Sequence, residues 1–175
     1  MIKKRNILFL LVNLILGFAV ILSYIWGLVY YPEYGSALWG KIETNNIPYI
    51  IFSMLLAAVG YFVFSFYFLN YKKFQTFNTL EYLYILSLYI VILFFSALWM
   101  PLSIGFINTN NNLFLILDLV SLYLVGISSL LLTIFLIQDK SLRRKLIWKL
   151  SVLGGFQFTF HTLIIDAIYW GMNFI

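Results

Sequence analysis

The stretch Leu113–Ile137 reads LFLILDLVSLYLVGISSLLLTIFLI and holds a single charge, Asp118. At 1.5 Å of rise per residue it is long enough, as a helix, to cross the roughly 30 Å hydrocarbon core of a bilayer. Four further runs share that character: about Ile7–Tyr30, Ile47–Phe68, Leu80–Gly105 and Leu150–Met172. Each is bounded by a charge or a cluster of turn-forming residues. Irregular backbone facing lipid would leave polar groups unsatisfied, so each run is expected to be a helix. The alternation of a barrel strand is absent. Residues 1–175 are therefore expected to form one polytopic domain, an all-α membrane protein built as a compact bundle of five transmembrane helices.

Composition points the same way. Of 175 residues, 63% are hydrophobic and only 10% charged, and mean hydropathy is +0.99. A water-soluble domain carries about a quarter charged residues to keep its surface wet. The first span follows Lys3, Lys4 and Arg5 as a signal peptide would. Its apolar run is longer than a signal core, it ends in bulky Tyr24, Trp26, Tyr30 and Tyr31, and no small-residue cleavage site closes it. It is expected to remain as an anchor.

Charge fixes the expected orientation. With the N-terminus in the cytoplasm, the inside segments hold Lys3, Lys4, Arg5, Lys72, Lys73, Lys140, Arg143, Arg144, Lys145 and Lys149, and the outside segments hold only Lys41. This asymmetry predicts an N-in, C-out topology. It also accounts for the net charge of +5 without a nucleic-acid partner. The basic loop Gln138–Lys149 is expected to lie on an anionic leaflet, and Pro32–Asn46 to form a short interfacial turn or lid. Tyr30, Tyr31, Trp148 and Trp170 suit interfacial aromatic belts. Asn78 and Glu81 read as a capping box, while Glu33, Glu43 and Asp139 read as solvated loop charges.

Several chemistries are excluded. Without cysteine there is no disulfide, thiolate ligand or cysteine nucleophile. A single histidine, His161, rules out a multi-histidine metal site within the chain, and no metal is expected. No lysine lies within a span, and no glycine-rich phosphate loop or nucleophile-elbow pattern occurs. Ala58-Val59-Gly60-Tyr61 lacks the flanking residues of a potassium-channel filter.

The informative residues are the ionisable ones within spans, because burying them is costly unless they find a partner or water. These are Asp118 in the fourth span and His161 and Asp166 in the fifth. Both acids are expected about 7–9 Å below the outer end of their helices. Along the fifth span, Gly155, Thr159, Thr162, Asp166, Tyr169 and Asn173 form one polar stripe. On α-helical geometry, His161 lies about 140° round from Asp166 and should not face it; it should instead stack on Gln157. Two polar faces place this helix in the middle of the bundle. Small and polar residues also line the other helices: Asn13, Gly17, Val20 and Tyr24 in the first, and Ser53, Ala57 and Tyr61 in the second. In the third, Pro101 removes an amide donor and disturbs the Ala97 carbonyl.

Together these predict an outward-facing pocket lined by Asp118, Asp166, His161, Thr162, Trp99 and the backbone at Pro101, with Trp39 at its mouth. The competing expectation is that the acids bond to neighbouring hydroxyls and only fix helix packing.

Five spans in about 170 aromatic-rich residues, with Phe94-Phe95-Ser96 leading toward the Asp118 region, resemble the TspO/translocator family. That resemblance implies binding of porphyrins or other lipophilic molecules. The chain departs from the family in the first loop, where Tyr31-Pro32-Glu33-Tyr34 replaces a proline- and tryptophan-rich segment, and no site residue is carried over.

Three functions fit the sequence. The favoured one is a binder or carrier of a small lipophilic molecule, with no other cofactor and the bilayer as its setting. The alternatives are a structural subunit or assembly factor with a membrane-protein partner, and an intramembrane acid–base enzyme with His161 as proton carrier.

Overall fold

The structure is a computed structural model that describes residues 2–72, 77–139 and 142–174; Lys73 and Lys140 of the basic segments lie outside the described residues. Helix α1 spans Ile2–Tyr30, α2 Ile47–Tyr67, α3 Thr79–Thr109 and α4 Asn112–Gln138. Helix α5 is α-helical over Leu146–Thr159, widens into π geometry over Phe160–Trp170 and closes with an α-helical turn at Gly171–Asn173. Among the described residues there is no strand. All five helices are long and apolar enough to cross a membrane. Exposed Leu, Ile and Phe side chains run the length of α1 and α2, a surface that a soluble monomer does not present.

The helix ends follow from local chemistry. Asn78 accepts a hydrogen bond from the Glu81 amide at 2.8 Å and returns its own amide to the Glu81 carboxylate at 2.9 Å, which closes the expected capping box. Asn111 caps α4 through the Leu113 amide at 2.9 Å. Helix α3 continues through Pro101 and past Gly105 to Thr109, and Asn110 terminates it at φ +51°. The sequence reading ended this helix a turn too early because glycine is a breaker only where nothing holds it; here Phe114 packs on Gly105.

In space the helices follow the order α1, α3, α4, α5, α2. Helix α4 is the most enclosed and α1 the least, so α4 rather than α5 occupies the middle. Helices α2 and α5 approach closely where Gly60 meets Gly154: a Cβ on Gly60 would lie 2.5 Å from the Gly154 carbonyl oxygen. By contrast, α1 and α2, neighbours in sequence, hardly touch along their backbones. Their side chains meet toward the N-terminal end of α1, where the Tyr61 hydroxyl donates to Asn13 at 2.5 Å. Beneath that contact Phe9, Phe64, Tyr89 and Phe158 fill the interior edge to face.

The two ends of the bundle differ. One, the basic end, carries Arg5, Arg143, Arg144, Lys145 and Lys149. Two sequence expectations fail there. Asp139 is buried and accepts from the Tyr67 hydroxyl at 2.5 Å. Trp148 is buried as well, its indole donating to the Leu136 carbonyl at 3.1 Å. It caps α4 instead of joining an interfacial belt.

At the other end, the loop end, residues 32–46 form three short 3-10 turns, Pro32–Tyr34, Ala37–Trp39 and Thr44–Asn46, laid across the helices. The Lys41 amide donates to Asn173 at 2.7 Å, and the Trp170 indole to the Leu38 carbonyl at 2.8 Å. Gly40 makes this docking fit: its φ is +55°, and a Cβ would strike the Asn173 carbonyl. Trp170 is buried beneath this loop, stacked on Phe174 at 4.1 Å.

Candidate functional site

The widened turn in α5 decides the geometry. In an α-helix, residues five apart diverge by about 140°. In π geometry the i→i+5 bond brings them one above the other. His161 and Asp166 have that spacing and fall within Phe160–Trp170. His161 Nε2 lies 3.4 Å from Asp166 Oδ1, so the expectation that these residues face apart is overturned by a change of helix type.

The other ring nitrogen, Nδ1, lies 3.2 Å from Ser53 Oγ on α2. Gln157, one turn earlier on α5, donates its amide to Ser53 Oγ at 3.1 Å and to the Ser53 carbonyl at 3.3 Å. Gln157 supplies a hydrogen to Ser53 Oγ; in the tautomer that carries its proton on Nε2, Ser53 donates to Nδ1 and the N–H is turned toward the carboxylate. His161 is 4% exposed, whereas the Asp166 side chain is 32% exposed and Ser53 is half-buried. The cluster is thus open at two of its members.

Tyr24 on α1 meets Trp99 of α3 in a tilted contact at 5.3 Å, and Trp99 meets Trp170 edge to face at 5.6 Å. The Tyr61–Asn13 contact joins α2 to α1. Between Asn13 and Tyr24 on α1, a Cβ at Gly17 would meet nothing within 4 Å. Asp166 and Ser53 keep some exposed surface while His161 between them is shielded, and α1 and α2 make few backbone contacts with one another. Two shallow grooves elsewhere, along Ile7–Leu14 of α1 and between Leu80–Tyr84 and Leu131–Gln138, include none of these three groups.

The remaining predicted site residues are engaged in packing. Trp99 packs between Tyr24 and Trp170. Asp118 has no exposed surface; it accepts from the Ser103 hydroxyl at 2.6 Å across the α3–α4 seam, while its Oδ1 has no partner among the described residues. The two carboxylates do not pair with one another, although Tyr24 lies within electrostatic range of both. Thr162 faces α4, 2.9 Å from Ser129 and bonded to the Phe158 carbonyl. Trp39 packs on the Trp170 cluster in the loop covering the end, and Pro101 is accommodated within the unbroken α3. Among the described residues no group of three His, Cys, Asp or Glu is arranged to hold a metal ion.

Ser53 is the member that sequence reading passed over. It stood only in a stripe of small residues on the second span. A His–Asp pair at i, i+5 in an otherwise apolar run was the available signal, but only π geometry makes that spacing meaningful. Comparison with protein-family models, curated proteins and solved structures finds no match, so the reading of this cluster rests on its own geometry.

Proposed function

We propose that this protein is a multi-pass integral membrane protein, N-terminus cytoplasmic and C-terminus extracytoplasmic, that binds a small lipophilic molecule in the cleft between α1 and α2. The orientation rests on charge: among the described residues, Lys4, Arg5, Arg143, Arg144, Lys145 and Lys149 gather at one end and Lys41 alone stands at the other. Cationic side chains near an anionic leaflet gain on the order of 1 kcal/mol each. In this orientation the cleft occupies the half of the bundle nearer the outside.

One observation carries the binding role: Asp166 and Ser53, both polar, remain partly exposed on two helices whose outer faces are apolar. Lipid-facing carboxylates are costly unless satisfied. A ligand with an apolar body and a hydrogen-bonding head satisfies them, its body meeting Tyr24 and Trp99 and its head meeting Asp166. It reaches the cleft sideways from the bilayer.

Native mass spectrometry of protein extracted gently into nanodiscs from its own membrane tests this reading. A retained small-molecule mass, diminished in Asp166→Asn, is the expected result. A stoichiometric protein partner with no small molecule would contradict it and assign the apolar faces to an assembly instead.

A further inference from the structure

We propose that Ser53, His161 and Asp166 form an acyl-transfer site, and that the molecule admitted to the cleft is a carboxylic ester of an acyl chain with a polyol, whose free hydroxyl donates to Asp166 and whose ester bond the protein hydrolyses. This rests on the cleft being a lipophile-binding site and adds to it the identity of the reacting group. Hydroxyl, imidazole and carboxylate follow one another at 3.2 and 3.4 Å, the sequence of roles that activates a serine, which is recognised by geometry and not by position in the chain. The ring is turned relative to the common arrangement: Nδ1 serves the hydroxyl and Nε2 the carboxylate.

Three features separate this from incidental polar packing. The hydroxyl comes from α2 and the other two groups from α5, so the relay exists only because Gly60 and Gly154 bring those helices together. The His–Asp contact requires the π geometry of residues 160–170, and such wide turns recur at functional sites. The nucleophile and the carboxylate remain partly exposed while the imidazole between them is shielded.

The step balances as follows. Ser53 Oγ attacks the ester carbonyl carbon as its proton passes to His161 Nδ1. The resulting imidazolium is held by Asp166 at Nε2. The carbonyl π bond opens to an oxyanion, which Gln157 Nε2, already 3.1 Å from Ser53 Oγ, is placed to receive in a hydrogen bond. The carbonyl re-forms, the C–O bond to the leaving alcohol breaks, and the alcohol oxygen takes the proton from Nδ1. Acyl-Ser53 remains. Water then repeats the attack, giving its proton to Nδ1; the Ser53 oxygen leaves, recovers that proton, and a carboxylic acid is released. Water is the only co-reactant.

The test uses the full chain in nanodiscs and a fluorophosphonate carrying a long alkyl chain. The expected result is one adduct per protein, mapped to Ser53 and absent in Ser53→Ala. His161→Gln should label on the order of a thousandfold more slowly. Asp166 acts by positioning the ring, so Asp166→Asn should be slow and Asp166→Glu should recover part of the rate, which a merely structural role would not give. Retention of an unreactive long-chain alkyl phosphonate, read by native mass spectrometry on the same samples, separates the two levels of the reading. Retention without an adduct at Ser53, or labelling unchanged in Ser53→Ala, overturns the acyl-transfer proposal and leaves binding intact. Neither retention nor labelling overturns both.

Discussion

Asp118 and Asp166 are both carboxylates set in apolar helices, and the molecule treats them oppositely. Asp118 sits on α4, the most enclosed helix, and is sealed against Ser103 with no exposed surface. Asp166 sits on α5 and keeps about a third of its side chain open. The residue type is the same; what differs is the number of helices that close over it. A sealed carboxylate with one hydroxyl donor organises a seam. An open one aligned on an imidazole can meet a ligand.

The largest disturbance to this contrast should come from the α2–α5 approach. A Cβ on Gly154 would fall 2.9 Å from Gly60 Cα, and backbone on both sides leaves no flexible atom to give way. Gly154→Ala should cost about 1–3 kcal/mol by overpacking; it should also separate Ser53 from His161 and reduce ligand retention. Denaturant titration in mixed micelles, paired with native mass spectrometry, reads both effects, and an undisturbed protein would remove the glycine contact from the account.

Next in size is Asp118→Leu. It deprives the buried Ser103 hydroxyl of its acceptor and should cost about 1–3 kcal/mol, while the folded fraction still retains its small molecule. Loss of retention without loss of stability would place Asp118 in the site after all. Asp166→Asn should behave in the reverse manner. Its stability should change by less than about 1 kcal/mol, since the group is partly open and solvent- or ligand-screened, and retention should fall steeply. The smallest effect on folding belongs to Gly17→Phe. A new side chain there enters open space, so stability should stay within about 0.5 kcal/mol while the cleft is obstructed. A strong loss of stability would mean that the space is needed for packing.

Much of this architecture was legible before any coordinates. Five apolar runs bounded by charges became five helices because apolar length is a one-dimensional property, and the Asn78–Glu81 cap is local. The helix ends that moved, at Thr109 and Leu146, depended on contacts made by distant residues. The three ionisable groups stood out by composition alone, but their grouping did not. Reading α5 with a single helical period places His161 and Asp166 on different faces; the wide turn brings them together. Ser53 could not be found from α2 alone, since its partners lie 104 and 108 residues away. Asp139 and Trp148 were misread for a related reason. Loop residues near a helix end are solvated by default, and here Tyr67 and the Leu136 carbonyl claim them.

The contrast between open cleft and sealed seam can be measured directly, because the chain contains no cysteine and each introduced thiol reports alone. Ser53→Cys and Ser103→Cys proteins, kept in membranes and treated with a lipophilic maleimide, address the two carboxylate sites through their hydroxyl partners. The account predicts rapid alkylation of the Ser53→Cys protein and protection of the Ser103→Cys protein until it is unfolded. Equal protection of both, or faster reaction at position 103, would show that the gap between α1 and α2 is closed and would contradict the cleft as a binding site.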